Sequence, residues 1–279
     1  MKINIFFSLL LILFFCISCS KEVEKKSVIN EKSLDLQVLE AYEEGKKSLN
    51  EGDILFAAKK FNEAEILFPQ SDWAPKAALM AAYSYYSQDY YGDAIAELDR
   101  FIRVYPKHVS LDYAYYLLAI CYYEQIVDEK KDLQSIIKAK DNFKIVINKF
   151  PITEYASDSK FKIDLINDVL ASKEMYIGRY YFEKKKWIPA INRFRTVIDD
   201  YQTTIYTEEA LHRLVEVYYI LGLKKESKKY ANLLGYNYQS SDWYEKSYSV
   251  FDKQYKKRKI NSEKKGKGNP IINKMISLF

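Results

Sequence analysis

The sequence predicts an all-α protein, an α-solenoid of about five helix–turn–helix repeats. Three observations carry this. Only 8 Gly and 6 Pro punctuate 279 residues, too few for the frequent turns of a β-fold. Lys, Glu, Leu, Ala, Ile and Tyr dominate instead, and 48% of residues are hydrophobic, enough for one large domain or two small ones. Finally, one pattern of small, large and apolar residues at helical spacing recurs along the chain, which is the mark of a repeat architecture.

The first residues are a different material. Lys2 is the only charge before Lys21, and Ile5 to Ile17 is a near-continuous apolar run. A basic start, a short apolar core and a small residue before the break describe an export signal, placed at residues 1–18. Ser18-Cys19 resembles a bacterial lipobox, in which a small residue precedes the Cys that is lipidated and begins the mature protein. Cys16 does not fit that role because Phe15 precedes it, and it stands where the lipobox pattern usually has Leu. An uncleaved anchor is the alternative, since residues 3–20 carry no charge and approach spanning length. Ser20 rather than Asp after Cys19 resembles lipoproteins that are sent on to the outer membrane. With Cys19 lipidated and Cys16 removed, Cys121 is left as the one spare thiol, so no disulfide framework is expected.

After a tether at 19–32, the repeats begin. Ala57-x3-Phe61-x2-Ala64 precedes Phe68-Pro69, and Ala94-x3-Leu98-x2-Phe101 precedes Tyr105-Pro106. Ala139-x3-Phe143-x2-Val146 precedes Phe150-Pro151, and Ala190-x3-Phe194-x2-Val197 precedes Tyr201-Gln202. Ser227-x3-Ala231-x2-Leu234 precedes Tyr238-Gln239. Offsets 0, 4 and 7 share one helical face; the small residue admits a neighbouring helix and the large ones fill the seam. Pro then ends the helix and biases the residue before it away from α geometry. Upstream lies a partner helix with its own small residue, at Gly45, Ala82, Ala119, Gly178 and Val215, and Gly52 and Gly222 mark tight turns between partners. This is the tetratricopeptide pattern, a stacked helix–turn–helix unit of about 34 residues.

The closing positions 69, 106, 151, 202 and 239 are spaced by 37, 45, 51 and 37 residues. The 45-residue unit carries a charged insertion at about Gln125 to Gln134, expected as an exposed loop or helix extension. The 51-residue unit has no strong breaker from Glu154 to about Lys185 apart from Gly178, so one long helix is expected to close repeat three and open repeat four. Repeats one to three thus occupy 33–165 and repeats four and five 166–252. Residues 253–279 hold nine Lys or Arg against one acid, a basic tail expected to be disordered and solvated. Within it, Ile272, Met275, Ile276 and Phe279 would share a face on a helix. An exported chain rarely meets nucleic acid, so the tail is not assigned to it.

No catalytic constellation, metal set or cofactor motif emerges. His108 and His212 are far apart in sequence, and there is no Gly-rich phosphate loop or nucleophile motif. His108, after a helix-ending Pro, reads as a cap or surface residue. Binding is the better-supported class. In a tetratricopeptide solenoid the first helix of each pair lines the concave surface, which places Tyr42, Lys46, Leu49 and Asn50 there from repeat one. Repeat two contributes Lys76, Leu79, Tyr83 and Tyr86, and repeat three Tyr113, Tyr116, Ile120 and Tyr123. Tyr joins a large apolar face to a hydrogen-bonding tip, so a Tyr-lined groove with Lys at its margins suits an extended peptide. Tyr85 and Tyr122 are expected to pack between helices, and Tyr83, Tyr86 and Tyr116 to face the groove.

Asp99-Arg100-Phe101-Ile102-Arg103, Pro106-x-His108 and Asp112-Tyr113, with the lipobox, the five repeats and the long helix, resemble the BamD family, tetratricopeptide lipoproteins of the outer-membrane β-barrel assembly machinery. Trp187-x4-Asn192-Arg193, Leu234-Gly235-x-Asn237-Tyr238 and Ser241-x-Trp243-Tyr244 are similar to members of that family as well. The resemblance spans roughly residues 33 to 250; Gln202 and Gln239 depart from it where Pro is expected. It implies a non-enzymatic assembly factor lipid-anchored through Cys19 on the periplasmic face of the outer membrane. It implies that the C-terminal repeats, with Trp187 and Arg193, bind the periplasmic domains of the barrel-forming subunit BamA alongside other Bam lipoproteins. It also implies that the N-terminal repeats receive aromatic-rich C-terminal signals of unfolded outer-membrane proteins. The competing expectation is a periplasmic tetratricopeptide adaptor for cell-wall enzymes.

Overall fold

The computed structural model describes residues 33–126 and 133–252. The export segment, Cys19, the tether, most of the expected insertion and the basic tail lie outside the described residues. Eleven helices follow one another there: α1 (Leu34–Glu51), α2 (Ile54–Leu67), α3 (Trp73–Tyr86), α4 (Tyr91–Val104), α5 (Leu111–Glu124) and α6 (Gln134–Lys149), then α7 (Glu154–Glu183), α8 (Trp187–Asp200), α9 (Thr207–Ile220), α10 (Lys224–Asn237) and α11 (Asp242–Phe251). Each packs on the next, so α1/α2, α3/α4, α5/α6, α7/α8 and α9/α10 are the five helix–turn–helix pairs of an α-solenoid.

The turn within each of the four pairs whose turn is described uses one left-handed residue. Gly52 (φ 85°), Asp89 (φ 64°), Lys185 (φ 57°) and Gly222 (φ 75°) occupy it. Each stands five residues before the small residue of the second helix, Ala57, Ala94, Ala190 and Ser227 respectively. Gly takes this conformation without a Cβ penalty, whereas Asp and Lys are strained there. The Gly pair was legible in the sequence; Asp89 and Lys185 were not, because only position within the repeat reveals them.

Core volume is divided between partner helices. Phe61, Phe143 and Phe194 are fully buried at offset 4, as is Leu98. Gly45 faces Phe61 so closely that an added Cβ would lie 2.9 Å from the ring, and at Gly178 it would lie 2.5 Å from Phe194. Ala82 shares a core with Leu98, and Ala119 with Phe143. Small on one helix therefore answers large on the other, and burying each Phe is worth about 2–3 kcal/mol. Repeat five inverts the arrangement, with Val215 in the first helix and Ala231 in the second. The Ser227 hydroxyl donates to the Val215 carbonyl at 2.9 Å, satisfying a buried polar group.

The expected long helix is α7, 30 residues, opened by Thr153, whose side chain accepts from the Ala156 N–H. Its N-terminal part, as far as Leu170, contributes Ile166 and Leu170 to the core of repeat three. Its second half contributes Ala171 and Met175 to the core shared with α8 and α9. The hand-over falls between Leu170 and Ala171. A closing helix, α11, follows repeat five and was not anticipated. Ser241 caps it by accepting from the Trp243 N–H, and Gly235 of α10 leaves room for Tyr244.

The family-like string at 99–108 is a joint between repeats. Arg100 binds Glu65 of α2 through both terminal nitrogens, at 2.8 and 2.6 Å, and its Nε donates to Glu97 at 2.9 Å. The Tyr105 hydroxyl donates to Glu65 at 2.7 Å. Phe101 is fully buried, with the His108 ring edge-on at 5.6 Å. The His108 Nδ1 accepts from the Ser110 N–H, which makes His108 a turn residue.

Candidate peptide-binding groove

The first helices of repeats one to three bring their inner faces together around a concavity of about 340 Å³, lined by Tyr42, Lys76, Leu79, Met80, Tyr83 and Tyr113. Tyr42 is held between Phe61 (5.2 Å) and Trp73 (5.0 Å), so its ring forms a fixed wall. Lys76 lies over the Trp73 ring at 5.0 Å, which leaves its ammonium at the rim. Tyr83 is 38% exposed and is the most available ring of the lining. Tyr113 stacks at a tilt on Tyr155 of α7, 5.7 Å away, and burial pushes its hydroxyl above the ordinary range. Burial does the same to Tyr42 and Tyr86. These phenols therefore stay neutral, giving apolar faces with hydrogen-bonding tips and no acid–base chemistry.

The remaining sequence candidates divide. Tyr86 lies 6.3 Å from Tyr83 but packs against the cores of repeats two and three. Tyr116 packs on Phe143 and Tyr155, and its hydroxyl donates to Asp158 at 2.8 Å. Tyr123 packs on Phe143 with Lys162 over its ring at 4.7 Å. The expectation that Tyr86 and Tyr116 avoid interhelical packing is thus corrected. The long α7 closes over the end of repeat three and supplies partners that repeat spacing alone did not disclose. Tyr85 and Tyr122 pack against the core as expected. Lys46 stays exposed and pairs with Glu43 at 3.0 Å, and Ile120 is buried in the core of repeat three. Sequence reasoning missed Met80, which carries no Tyr or Lys signal, and Trp73, which orders Tyr42 and Lys76.

In the C-terminal repeats, Trp187 and Arg193 part company. Trp187 packs edge-on against Phe182 at 5.5 Å, within the core of repeat four. Arg193 is bound to Glu174 of α7 at 3.0 Å and lines an open concavity of about 390 Å³ with Ile188, Asn192 and Thr196. Cys121 is fully buried and its thiol is pushed up to about 12 by burial, so it is no nucleophile. Among the described residues no helix is long and apolar enough to cross a membrane.

A stack of helix pairs around an aromatic inner groove defines a helical-repeat scaffold of the tetratricopeptide class. The chain belongs to the YfiO family, described as outer membrane lipoproteins, whose pattern it matches over residues 34–234. It is 48% identical over 208 residues to the outer membrane protein assembly factor BamD of Rickettsia prowazekii (strain Madrid E), covering 72% of this chain and 83% of the relative. To BamD of Caulobacter vibrioides it is 38% identical over 259 residues, covering 93% and 84%. Among solved structures it is similar to the TPR2AB domain of yeast Sti1, at 13% identity and TM-score 0.43, covering 77% of this chain and 82% of the other.

Proposed function

We propose that this chain is an outer membrane protein assembly factor, a scaffold that holds unfolded barrel precursors beside the machinery that inserts them. One observation carries the binding role: three repeats converge their first helices on a mostly apolar groove, with an exposed Tyr83 and a rim ammonium from Lys76. Such a lining favours an extended, aromatic-rich segment, because apolar faces take its side chains while phenol tips and the ammonium meet its backbone carbonyls. No step of bond making or breaking is assigned to the site. The C-terminal repeats are the docking surface for the barrel-forming subunit, with exposed Asn192 and half-buried Arg193 around one concavity and Trp187 packed beneath against the core. The chain is held by acylated Cys19 at the periplasmic face of the outer membrane. Support for this placement comes from the Ser18-Cys19-Ser20 string and from the family.

The groove is tested by Tyr83→Ala, with Tyr86→Ala as its structural counterpart. Binding of an aromatic-rich barrel peptide should weaken about tenfold in Tyr83→Ala with Tm unchanged. Tyr86→Ala should instead lower Tm, because its ring packs on two cores. Equal peptide affinity in Tyr83→Ala and the parent overturns the groove. Co-isolation of the barrel-forming subunit is expected from the intact protein; recovery of cell-wall enzymes alone overturns the assembly role.

A further inference from the structure

The turns inside repeats four and five carry a feature that folding does not explain. Lys184, Lys185 and Lys186 form the turn between α7 and α8, and all three are exposed. Lys224, Lys225, Lys228 and Lys229 stand on the first two turns of α10, also exposed, directly after the α9–α10 turn. The two turns are neighbours: Tyr181, Phe182 and Trp187 beside the first, and Tyr218 and Tyr230 beside the second, pack on a single core. Among the described residues none of the seven lysines has an ion-pair partner, and only Glu183 and Glu226 dilute them.

Stability argues against this arrangement. Lys186, Lys224 and Lys225 stand at helix N-termini, where a cation opposes the helix dipole at a cost of several tenths of a kcal/mol each; of the others, Lys184 caps the C-terminus of α7. Lys185 also occupies the left-handed position that Gly52 and Gly222 fill in repeats one and five. The corresponding turns of repeats one and two are acidic, with Glu51 and Asp53 in one and Asp89 and Asp93 in the other. Between the lysines, Leu221 and Leu223 protrude at 37% and 50% exposure from the tip of the α9–α10 turn.

We propose that this edge of repeats four and five is a docking surface for an anionic bilayer, with phosphate headgroups on the lysines and Leu221 and Leu223 entering the interfacial layer. Three features favour a bilayer over an acidic protein. The charges are lysines, point donors without the planar fork with which Arg grips a carboxylate. They sit on protruding turns, and no concavity described here is lined by them. Exposed leucines at the α9–α10 tip add the apolar component that interfacial binding requires. Membership of an outer membrane lipoprotein family places a bilayer within reach. A second contact beyond a lipid at Cys19 would fix the tilt of the solenoid and hold the groove of repeats one to three clear of the surface.

The test uses residues 19–279, which contain every described helix, with Cys19→Ser so that neither the export segment nor an acyl chain contributes. Partitioning is measured onto phosphatidylcholine vesicles with and without phosphatidylglycerol. Binding should require the anionic lipid and fall with added salt. Lys185→Gln, Lys186→Gln, Lys224→Gln and Lys225→Gln together should weaken it about a hundredfold. Leu221→Ser with Leu223→Ser, which changes no charge, should weaken it about tenfold. The leucine variant should keep the parental Tm, the lysine variant should equal or slightly exceed it, and both should keep the peptide affinity, which separates failure here from failure of the groove. Equal partitioning of parent and lysine variant, or equal binding to neutral vesicles, overturns the proposal. So does a lysine variant that keeps its vesicle binding but no longer co-isolates the barrel-forming subunit, since the edge would then be a protein interface.

Discussion

Repeats one to three and repeats four and five share one backbone plan but present opposite inner faces. Three residues before the small residue of the first helix stand Tyr42, Leu79 and Tyr116 in the N-terminal half, against Met175 and His212 in the C-terminal half. One residue after it stand Lys46, Tyr83 and Ile120, against Arg179 and Glu216. The N-terminal positions build an aromatic wall. The C-terminal ones build an ionic lattice: Arg179 binds Glu209 at 2.8 Å, Arg213 reaches Glu209 at 3.4 Å and Glu216 at 2.8 Å, and His212 lies 2.8 Å from Ser247 of α11. One half thus leaves apolar surface open to a ligand, while the other spends its inner face on tying α7, α9 and α11 together. A repeat scaffold separates these tasks because each pair touches only its neighbours, so one end can change its surface without disturbing the other.

The comparison breaks most visibly at the bidentate Arg100–Glu65 ion pair of the N-terminal half. Glu65→Ala strips Arg100 and the Tyr105 hydroxyl of their shared acceptor, and Arg100 is only partly exposed. About 2 kcal/mol of stability should be lost, read as a drop in denaturant midpoint, with the Trp73 signal changing before those of Trp187 and Trp243. Gly178→Ala is the C-terminal counterpart. The new Cβ meets Phe194 at 2.5 Å, and the strain should outweigh the gain in helix propensity by about 1–2 kcal/mol, with the fluorescence order reversed.

Acid should also separate the halves. Burial pushes the Glu209 carboxyl up, but its hydrogen bond to Arg179 and the charges of Arg179 and Arg213 bring it below its ordinary 4.5. Glu216 is lowered in the same sense, against burial, by His212 and Arg213. A carboxylate depressed in the fold stabilises fully above its unfolded value and loses that contribution as pH falls through the folded one. Unfolding reported by Trp187 and Trp243 should therefore begin below about pH 4.5, and Glu209→Gln should flatten that dependence while lowering stability at neutral pH. The smallest effect belongs to Lys185→Gly, which relieves the left-handed strain and should raise stability by up to about 1 kcal/mol; no gain, or a loss, would mean that Lys185 makes a compensating contact.

Much of the fold was legible in advance. The five blocks with Ala57, Ala94, Ala139, Ala190 and Ser227 fixed which faces pack, and the absence of breakers after Glu154 disclosed α7. The groove was legible in part. Repeat register brought Tyr42, Lys76, Leu79, Tyr83 and Tyr113 to one face, but could not say that α7 would cover Tyr116. The ionic joint at 99–108 was not legible, because the partner of Arg100, Glu65, lies 35 residues upstream on another repeat.

Local sequence determined periodicity, helix ends and the small-to-large matching within each pair, since these depend on residues a few positions or one turn apart. Only the stacking of pairs decided which tyrosines remain open, which lysines gather on one edge and which acids neutralise which arginines. Those outcomes depend on the distance between side chains from different repeats, a quantity set by the superhelix.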